Sequence, residues 1–334
     1  MTLRLAISGF GRIGRMTLRA LQEMNRSDME VVLINSPGPV ETSAHLYEFD
    51  SVHGQARSIV TTGEGWMNIG RGKIHMTHER EPDRIPHTKH NVDIVLECSG
   101  KFNSREKSIA HLSSGAKKVL VSAPCENADM TVVYGVNDES LNAKVDIVSN
   151  ASCTTNCLAP IAKVLADGFG IDFGYMTTIH AYTGDQPTLD SSHKDLRRAR
   201  AASMSMIPTS TGATSAVGKV LPALAGKMNG SAIRVPTANV SVVDLTVKLK
   251  KKTSYEEIKS VMKKHADTDL KNILGYTEEP VVSQDFIGDV RTSIFDAGAG
   301  MELNSSFFKI ISWYDNECGY SNKLIDLAKH INQL

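Results

Sequence analysis

Near the start of the chain a short apolar run, Leu3–Ile7, meets Gly9-Phe-Gly11-Arg-Ile-Gly14. An amphipathic segment follows to about Met24, with Ile13, Leu18 and Leu21 on one helical face. A strand, a glycine turn and a helix in that order leave few folds open. Gly9 permits the tight turn, Gly11 lets backbone come close to a pyrophosphate, and Gly14 lets the helix pack closely on the strand. The helix start then offers N–H groups and a positive dipole end to phosphate oxygens. Glycine-rich turns without a nucleotide are common, so the bare pattern is weak. Its place between strand and helix gives it weight.

The alternation continues. Strands are expected at Glu30–Asn35, Val92–Glu97, Lys118–Ser122, Thr131–Tyr134 and Val145–Ser149, with a helix over Arg105–Ser114 ended by Gly115. Such alternation implies a mostly parallel sheet with helices on its faces. The second half reads differently. Val243, Leu245, Val247 and Leu249 alternate with Asp244, Thr246, Lys248 and Lys250, as in a half-buried antiparallel strand. Ser254-Tyr-Glu-Glu257 is a capping-box signature for a following helix. Strand-like runs return at Thr292–Phe295 and Phe307–Trp313, and Tyr320–Asn332 reads as an amphipathic helix. The fold class is therefore α/β: a Rossmann-type doubly wound parallel sheet plus an α+β domain with a mostly antiparallel sheet.

A chain of 334 residues suits about two domains. Lys plus Arg balance Asp plus Glu at 37 each, without the basic excess of a nucleic-acid binder, so nucleic acid is not expected as a primary partner. The five cysteines are odd in number and form no CxxC pair, which argues against a disulfide framework and a zinc ribbon and favours a reducing, cytoplasmic setting. No stretch reaches the roughly 18 apolar residues of a membrane span, and the N-terminal residues run straight into the glycine motif, unlike a signal peptide. No metal site is expected: His75, His78, His87 and His90 lack ligand spacing and read as surface residues. Lys248–Lys252 reads as a solvated strand edge.

A nucleophile candidate lies at a helix start. In Ser149-Asn-Ala-Ser152-Cys153-Thr154-Thr-Asn156-Cys157-Leu-Ala-Pro160 a strand ends and a helical stripe of Leu158, Ile161, Val164 and Leu165 begins. In the first turn the helix dipole favours thiolate, so a lowered pKa is expected for Cys153. Most cysteines are small buried hydrophobes, and that plainer reading suits Cys157, which either packs or pairs with Cys153 on oxidation. His180, 27 residues on, ends a strand and is a candidate acid/base partner. A lone histidine on a strand is more often structural, so the pairing depends on both side chains sharing one site.

The end of the second strand bears on the cofactor. An Asp or Glu there binds the ribose hydroxyls of NAD. This chain reads Leu33-Ile-Asn-Ser36-Pro-Gly38 and has no carboxylate at that point. Its absence removes a repulsion against the 2′-phosphate of NADP.

Gly9–Arg15, the Ser149–Cys157 run, His180, Ser-Thr-Gly-Ala at 210–213, Arg-Val-Pro-Thr-Ala-Asn at 234–239 and Trp-Tyr-Asp-Asn316-Glu-Cys-Gly-Tyr together resemble the glyceraldehyde-3-phosphate dehydrogenase family, from residue 3 to the C-terminus. The resemblance implies that Cys153 attacks an aldehyde to give a hemithioacetal. His180 activates the thiol and then takes the hydroxyl proton as hydride leaves to the nicotinamide. The thioester is cleaved by inorganic phosphate to an acyl phosphate. The Cys153 N–H and a protonated His180 are the implied oxyanion donors. It places the substrate phosphate at Thr183, Asp185, Arg198 and Arg234, and the attacking phosphate at Ser152, Thr154, Thr211 and Gly212. Cofactor contacts fall on Gly9, Gly11, Arg12, Ile13, Gly14 and Ser122, with Asn316 holding the nicotinamide amide. It also implies a homotetramer, and two domains: residues 1–152 with 316–334 binding the dinucleotide, and 153–315 carrying catalysis.

The chain departs from the family pattern at Ser8, at Ser36, at Ser191–Ser192 and at Cys318. Ser36 stands where NAD-type members carry Asp, and the two serines replace Leu-Pro in a loop that reaches a neighbouring subunit's ribose in the family. With Arg80 nearby, Ser36 and Ser192 are candidates to hold a 2′-phosphate, so NADP is favoured or shared with NAD. Two other readings stand beside this one: an erythrose-4-phosphate dehydrogenase, disfavoured by Thr183 and Asp185, and a non-catalytic nucleotide- or RNA-binding module.

Overall fold

The structure is a computed structural model and describes residues 2–334. The described residues form two compact units, 2–132, 140–151 and 321–334 in the first and 133–139 and 152–320 in the second.

The first unit is built on a nine-stranded sheet. Its order from one edge is Met130–Thr131, Ile147–Ser149, Lys118–Val121, Ile94–Glu97, Leu3–Ser8, Met29–Asn35, Lys73–Thr77, Trp66–Asn68 and Thr61–Gly63. The first seven run parallel and the last two pair antiparallel. Leu5, Ile7, Leu33, Ile34, Val95, Leu96, Val119 and Leu120 are wholly buried, which is what a parallel sheet covered on both faces requires. From Leu3–Ser8 the chain builds outward on one side. It then returns to place Ile94–Glu97 on the other, so the strand order reverses beside the glycine turn. The helix Cys318–Asn332 enters this unit from Ser321 on, where ion pairs from Arg26 to Asp326 and from Lys329 to Asp28, each 2.9 Å, fasten it.

Several expectations need correction here. Of Thr131–Tyr134 only Thr131 lies in the strand, Met130–Thr131; Val132 still donates its N–H to Ser149 O at 2.8 Å, and Val133 is buried beyond the strand's end. The edge at Thr61–Thr77 and the helix Val40–Glu48 were not anticipated. In Lys73–Thr77 only Ile74 and Met76 point inward, a stretch too short to stand out between polar neighbours. His87 is no surface residue: it is 1 % exposed and hydrogen-bonds His111 at 3.0 Å, although His75 and His78 are exposed.

The second unit holds a seven-stranded sheet ordered Ile207–Thr209, Met228–Val235, Ile171–Ala181, Ser241–Leu249, Phe307–Tyr314, Ser293–Asn304 and Leu274–Thr277. Pairings are antiparallel except for Ile171–Ala181 with Met228–Val235 and Leu274–Thr277 with Ser293–Asn304. The helix Cys153–Phe169 packs on this sheet and on helices Ala213–Val220 and Tyr255–Asp267, burying Leu158, Ile161 and Leu165 completely. Lys248 belongs to an interior strand, so it guards no edge; it pairs with Asp172 at 3.1 Å on the solvated face. Ser254 caps its helix, accepting from Glu257 N at 3.2 Å, while the Glu257 carboxylate binds Thr253 Oγ1 at 2.5 Å.

Candidate active site

In the first unit the reversal of strand order leaves a crevice-forming edge at the carboxyl ends of Leu3–Ser8 and Ile94–Glu97. Gly9 has φ +91°, and a Cβ there would lie 2.4 Å from Ser99 Cα, so the turn admits only glycine. At Gly14 a Cβ would meet Gly9 O at 2.2 Å, which sets how closely the helix Arg12–Glu23 approaches the turn. Gly11 differs: nothing lies within 4 Å of a Cβ built there. An open backbone cradle at a helix start fits a dinucleotide's pyrophosphate. Arg12 is committed elsewhere through its side chain, an ion pair with Asp50, and with Ile13 it opens the helix. Ser122 follows the adjacent strand, donating its N–H to Glu97 O at 2.9 Å.

Ser36 closes the second strand and is buried. Its N–H donates to Thr77 O at 2.9 Å, and His78 Nδ1 lies 2.7 Å from its carbonyl. Asn35 donates to Glu79 O and accepts from Glu79 N, each at 2.9 Å, tying the segment before the exposed Arg80 to the same strand end. Ser36 and His78 thus meet at the strand end, and Arg80 follows the tethered Glu79 in sequence. His78 was overlooked there, because its link to Ser36 crosses 42 residues.

In the second unit the strand Ile171–Ala181 brings His180 to the start of the helix Cys153–Phe169. Cys153 Sγ lies 3.4 Å from His180 Nε2. Ser152 has extended backbone at the N-cap, and its Oγ accepts from Thr155 N at 3.1 Å, closing the first turn under the thiol. Ala151 just before it sits at φ +54°, a strained conformation for a residue with a Cβ. The Nδ1 side of His180 is taken up by Ala181 O and Arg234 Nη1, each 2.7 Å away, and Arg234 Nη1 donates to Ala181 O at 2.9 Å. Tyr314 packs edge-on against the imidazole at 5.9 Å, and its hydroxyl lies 2.9 Å from both Thr154 and Thr178 Oγ1. Nε2 is therefore the nitrogen presented to the thiol.

The electrostatics correct one expectation. Burial pushes the Cys153 thiol up, not down; the Arg234 charge and the N–H groups of the helix start oppose that push and are smaller. Burial, followed by the Arg234 charge, holds the His180 imidazole down at about 3. Burial thus disfavours the charged form of both partners. Cys157 and Cys98, with no cation beside them, are pushed up to about 12 by burial. Cys157 packs: its Sγ lies 3.5 Å from Ser312 Oγ and its carbonyl accepts from Ser293 Oγ.

Thr183, Asp185 and Arg198 form one polar cluster. The Thr183 hydroxyl and Arg198 Nη1 (3.2 Å) both donate to the Asp185 carboxylate. Arg234 hydrogen-bonds His180 and interacts with Asp185 and Arg198 through charge. Thr154 is buried with its hydroxyl on Tyr314, while Thr211 Oγ1 and Gly212 shape the start of the helix Ala213–Val220. Ser192 is exposed in the loop after Tyr182. Asn316 is 5 % exposed, and its Oδ1 accepts from Ser241 Oγ at 2.8 Å. Nothing in the sequence marks Ser241, which lies 75 residues from Asn316.

Rossmann-type sheet, open glycine cradle and thiol–imidazole pair define a nucleotide-dependent dehydrogenase of the thiol-bearing kind. Residues 3–105 match the family model described as glyceraldehyde 3-phosphate dehydrogenase, NAD binding domain, and residues 152–316 match its C-terminal domain. Over its full length the chain is 56 % identical to the glyceraldehyde-3-phosphate dehydrogenase of Xanthobacter flavus and 55 % to that of Cereibacter sphaeroides. It is 51 % identical to glyceraldehyde-3-phosphate dehydrogenase A of Escherichia coli, with all of both chains covered in each case. The chain belongs to the glyceraldehyde-3-phosphate dehydrogenase family.

Proposed function

We propose that this enzyme oxidises glyceraldehyde 3-phosphate with NAD(P) and inorganic phosphate to 1,3-bisphosphoglycerate, through a thioester on Cys153. The observation that carries the reading is the 3.4 Å approach of Cys153 Sγ to His180 Nε2 in a chain of this family. His180 Nε2 takes the thiol proton as sulfur adds to the aldehyde carbon, and the new oxyanion faces the Cys153 N–H at the helix start. His180 hands that proton to the oxyanion, making the hemithioacetal hydroxyl, and takes it back as hydride leaves, so that the thioester remains on sulfur. Bound nicotinamide supplies the hydride acceptor for that step. Phosphate attack releases the acyl phosphate and returns the thiolate, which is reprotonated.

The roles of the remaining residues follow the same reading. Thr183, Asp185, Arg198 and Arg234 hold the substrate phosphate; Ser152, Thr154, Thr211 and Gly212 serve the attacking phosphate. Asp185 fits by spacing Arg198 and Thr183 through its two oxygens. Residues 1–152 and 316–334 act as the dinucleotide-binding domain and 153–315 as the catalytic domain, working in a cytoplasmic homotetramer. The enzyme accepts NADP: Ser36 puts no charge against a 2′-phosphate, and His78 and Arg80 stand at the same strand end, with Ser192 supplied by a neighbouring subunit.

Steady-state oxidation of glyceraldehyde 3-phosphate, with and without phosphate and with each cofactor, tests this. Phosphate-dependent turnover supports it. Turnover confined to erythrose 4-phosphate, or none after which Cys153 alkylation proves inconsequential, overturns it.

A further inference from the structure

Asn316 is held on both sides. On the main chain, Asp315 Oδ1 accepts from Glu317 N at 2.9 Å and Cys318 N at 2.7 Å, while its Oδ2 accepts from Gly288 N at 2.8 Å. That fixes the backbone around Asn316 at the start of the last helix. On the side chain, Ser241 Oγ donates to Asn316 Oδ1 at 2.8 Å and itself accepts from Ala181 N at 3.1 Å. Ser241 is 1 % exposed and has a single hydroxyl proton, so this arrangement leaves it one direction of donation. Ala181 is the residue next to His180, and its carbonyl is the one that meets the imidazole Nδ1. One buried hydroxyl therefore joins the strand carrying the proposed base to the amide proposed to hold the nicotinamide.

We infer that Ser241 is a positioning residue for hydride transfer. By occupying Asn316 Oδ1 it fixes the amide so that the Nδ2 hydrogens, and not the oxygen, are presented to the carboxamide carbonyl of the nicotinamide. The inference rests on the proposed function, since it takes Asn316 as the group that meets the nicotinamide. A primary amide has two ends of nearly equal shape and opposite hydrogen-bonding sense, so without the serine proton it can turn over. A turned amide would still accept from the NH2 of a nicotinamide carboxamide. It would face an acetyl group, which has a carbonyl and no N–H, with an unmatched acceptor.

The experiment compares kcat/KM for NAD and for its 3-acetylpyridine analogue in the intact enzyme and in Ser241→Ala. The variant is expected to discriminate against the acetylpyridine analogue about tenfold more than the parent does, the worth of about one hydrogen bond. The pH midpoint of Cys153 alkylation stays unchanged. Ser241→Thr keeps the hydroxyl and restores the parent ratio. Equal losses with both cofactors, or none, overturn the inference, because a merely loosened fold treats the two alike. If Ser241→Ala does not fold, Ser241→Cys, a weaker donor of similar size, must move the ratio the same way or the inference falls. Absence of phosphate-dependent turnover with NAD in the parent would instead defeat the proposed function itself.

Discussion

Cys153 Sγ and His180 Nε2 face each other at 3.4 Å, with the Arg234 guanidinium 2.7 Å behind the imidazole on its Nδ1 side. The pair sits in a buried setting where each partner favours its neutral form. On the proposed mechanism the thiolate forms by proton transfer to His180 as the substrate adds. His180→Asn keeps an amide near the sulfur but cannot take the proton. It should lower kcat by about 10²–10⁴-fold, the usual worth of a general base. Cys153→Ala should abolish turnover while leaving NAD binding intact. Substantial phosphate-dependent activity in either variant would contradict the assigned roles.

Arg234 acts on both members of the pair: its charge pulls the Cys153 thiol down against burial and also disfavours the imidazolium. Arg234→Leu removes the cation. The pH midpoint for alkylation of Cys153 by iodoacetamide should move upward, and KM for glyceraldehyde 3-phosphate should rise by at least about tenfold through loss of a phosphate partner. A midpoint that stays put would show that the 2.7 Å contact carries no electrostatic weight in solution.

Gly9→Ala tests the nucleotide turn. The new Cβ would fall 2.4 Å from Ser99 Cα and 2.5 Å from Ser99 N, main-chain atoms that cannot swing aside, and the residue's φ is +91°. A loss of about 1–3 kcal/mol in stability is expected, read as a lowered Tm, with a weakened Kd for NAD. Gly11→Ala meets no atom within 4 Å, so it should leave Tm near the parent value and still weaken NAD binding. Equal Tm losses in the two variants would mean that the turn is looser than the built contacts imply.

Much of this was legible in the sequence, and the reasons differ by region. The Gly9–Gly14 turn was readable because each glycine answers a local steric demand. Cys153 was readable because a helix start is written in consecutive residues, Ser152 included. The direction of the thiol shift was not, since burial depends on packing by strands far along the chain. Ser241 and His78 were also silent. Each acts through a bond spanning many residues, to Asn316 and to Ser36 respectively, and neither sits in a local pattern that demands it. Lys248 misled because its alternation marks a wet face equally well on an interior strand and on an edge.

Ser36→Asp would place a carboxylate beside the ribose end of the cradle. It should lower kcat/KM with NADP by at least about tenfold, while NAD is unchanged or improved, since two anions are brought together in the first case and hydroxyls meet an acceptor in the second. Arg80→Ala should weaken NADP alone. An unchanged cofactor ratio in Ser36→Asp would show that the strand-end residue does not set the choice.

The last prediction concerns acid stability. His87, His111 and Glu97 form a buried chain: His87 Nε2 lies 3.0 Å from His111 Nδ1, and His111 Nε2 lies 3.1 Å from Glu97 Oε2. Burial, then the neighbouring His111 and His90, holds the His87 imidazole down at about 3. In the unfolded chain a histidine titrates near 6.5. Between those values the unfolded state carries a proton on this residue that the folded state refuses, so stability falls as pH drops from about 6.5 toward 3 and is fully present above that window. The slope is about 1.4 kcal/mol per pH unit for one such group. His180, also held at about 3, contributes in the same direction. His87→Gln keeps a side-chain amide able to donate to His111 and has no proton to gain. Urea unfolding from pH 4 to 6 should therefore show a shallower fall for the variant, by about one group's slope. Parallel curves for parent and variant would place the His87 titration elsewhere.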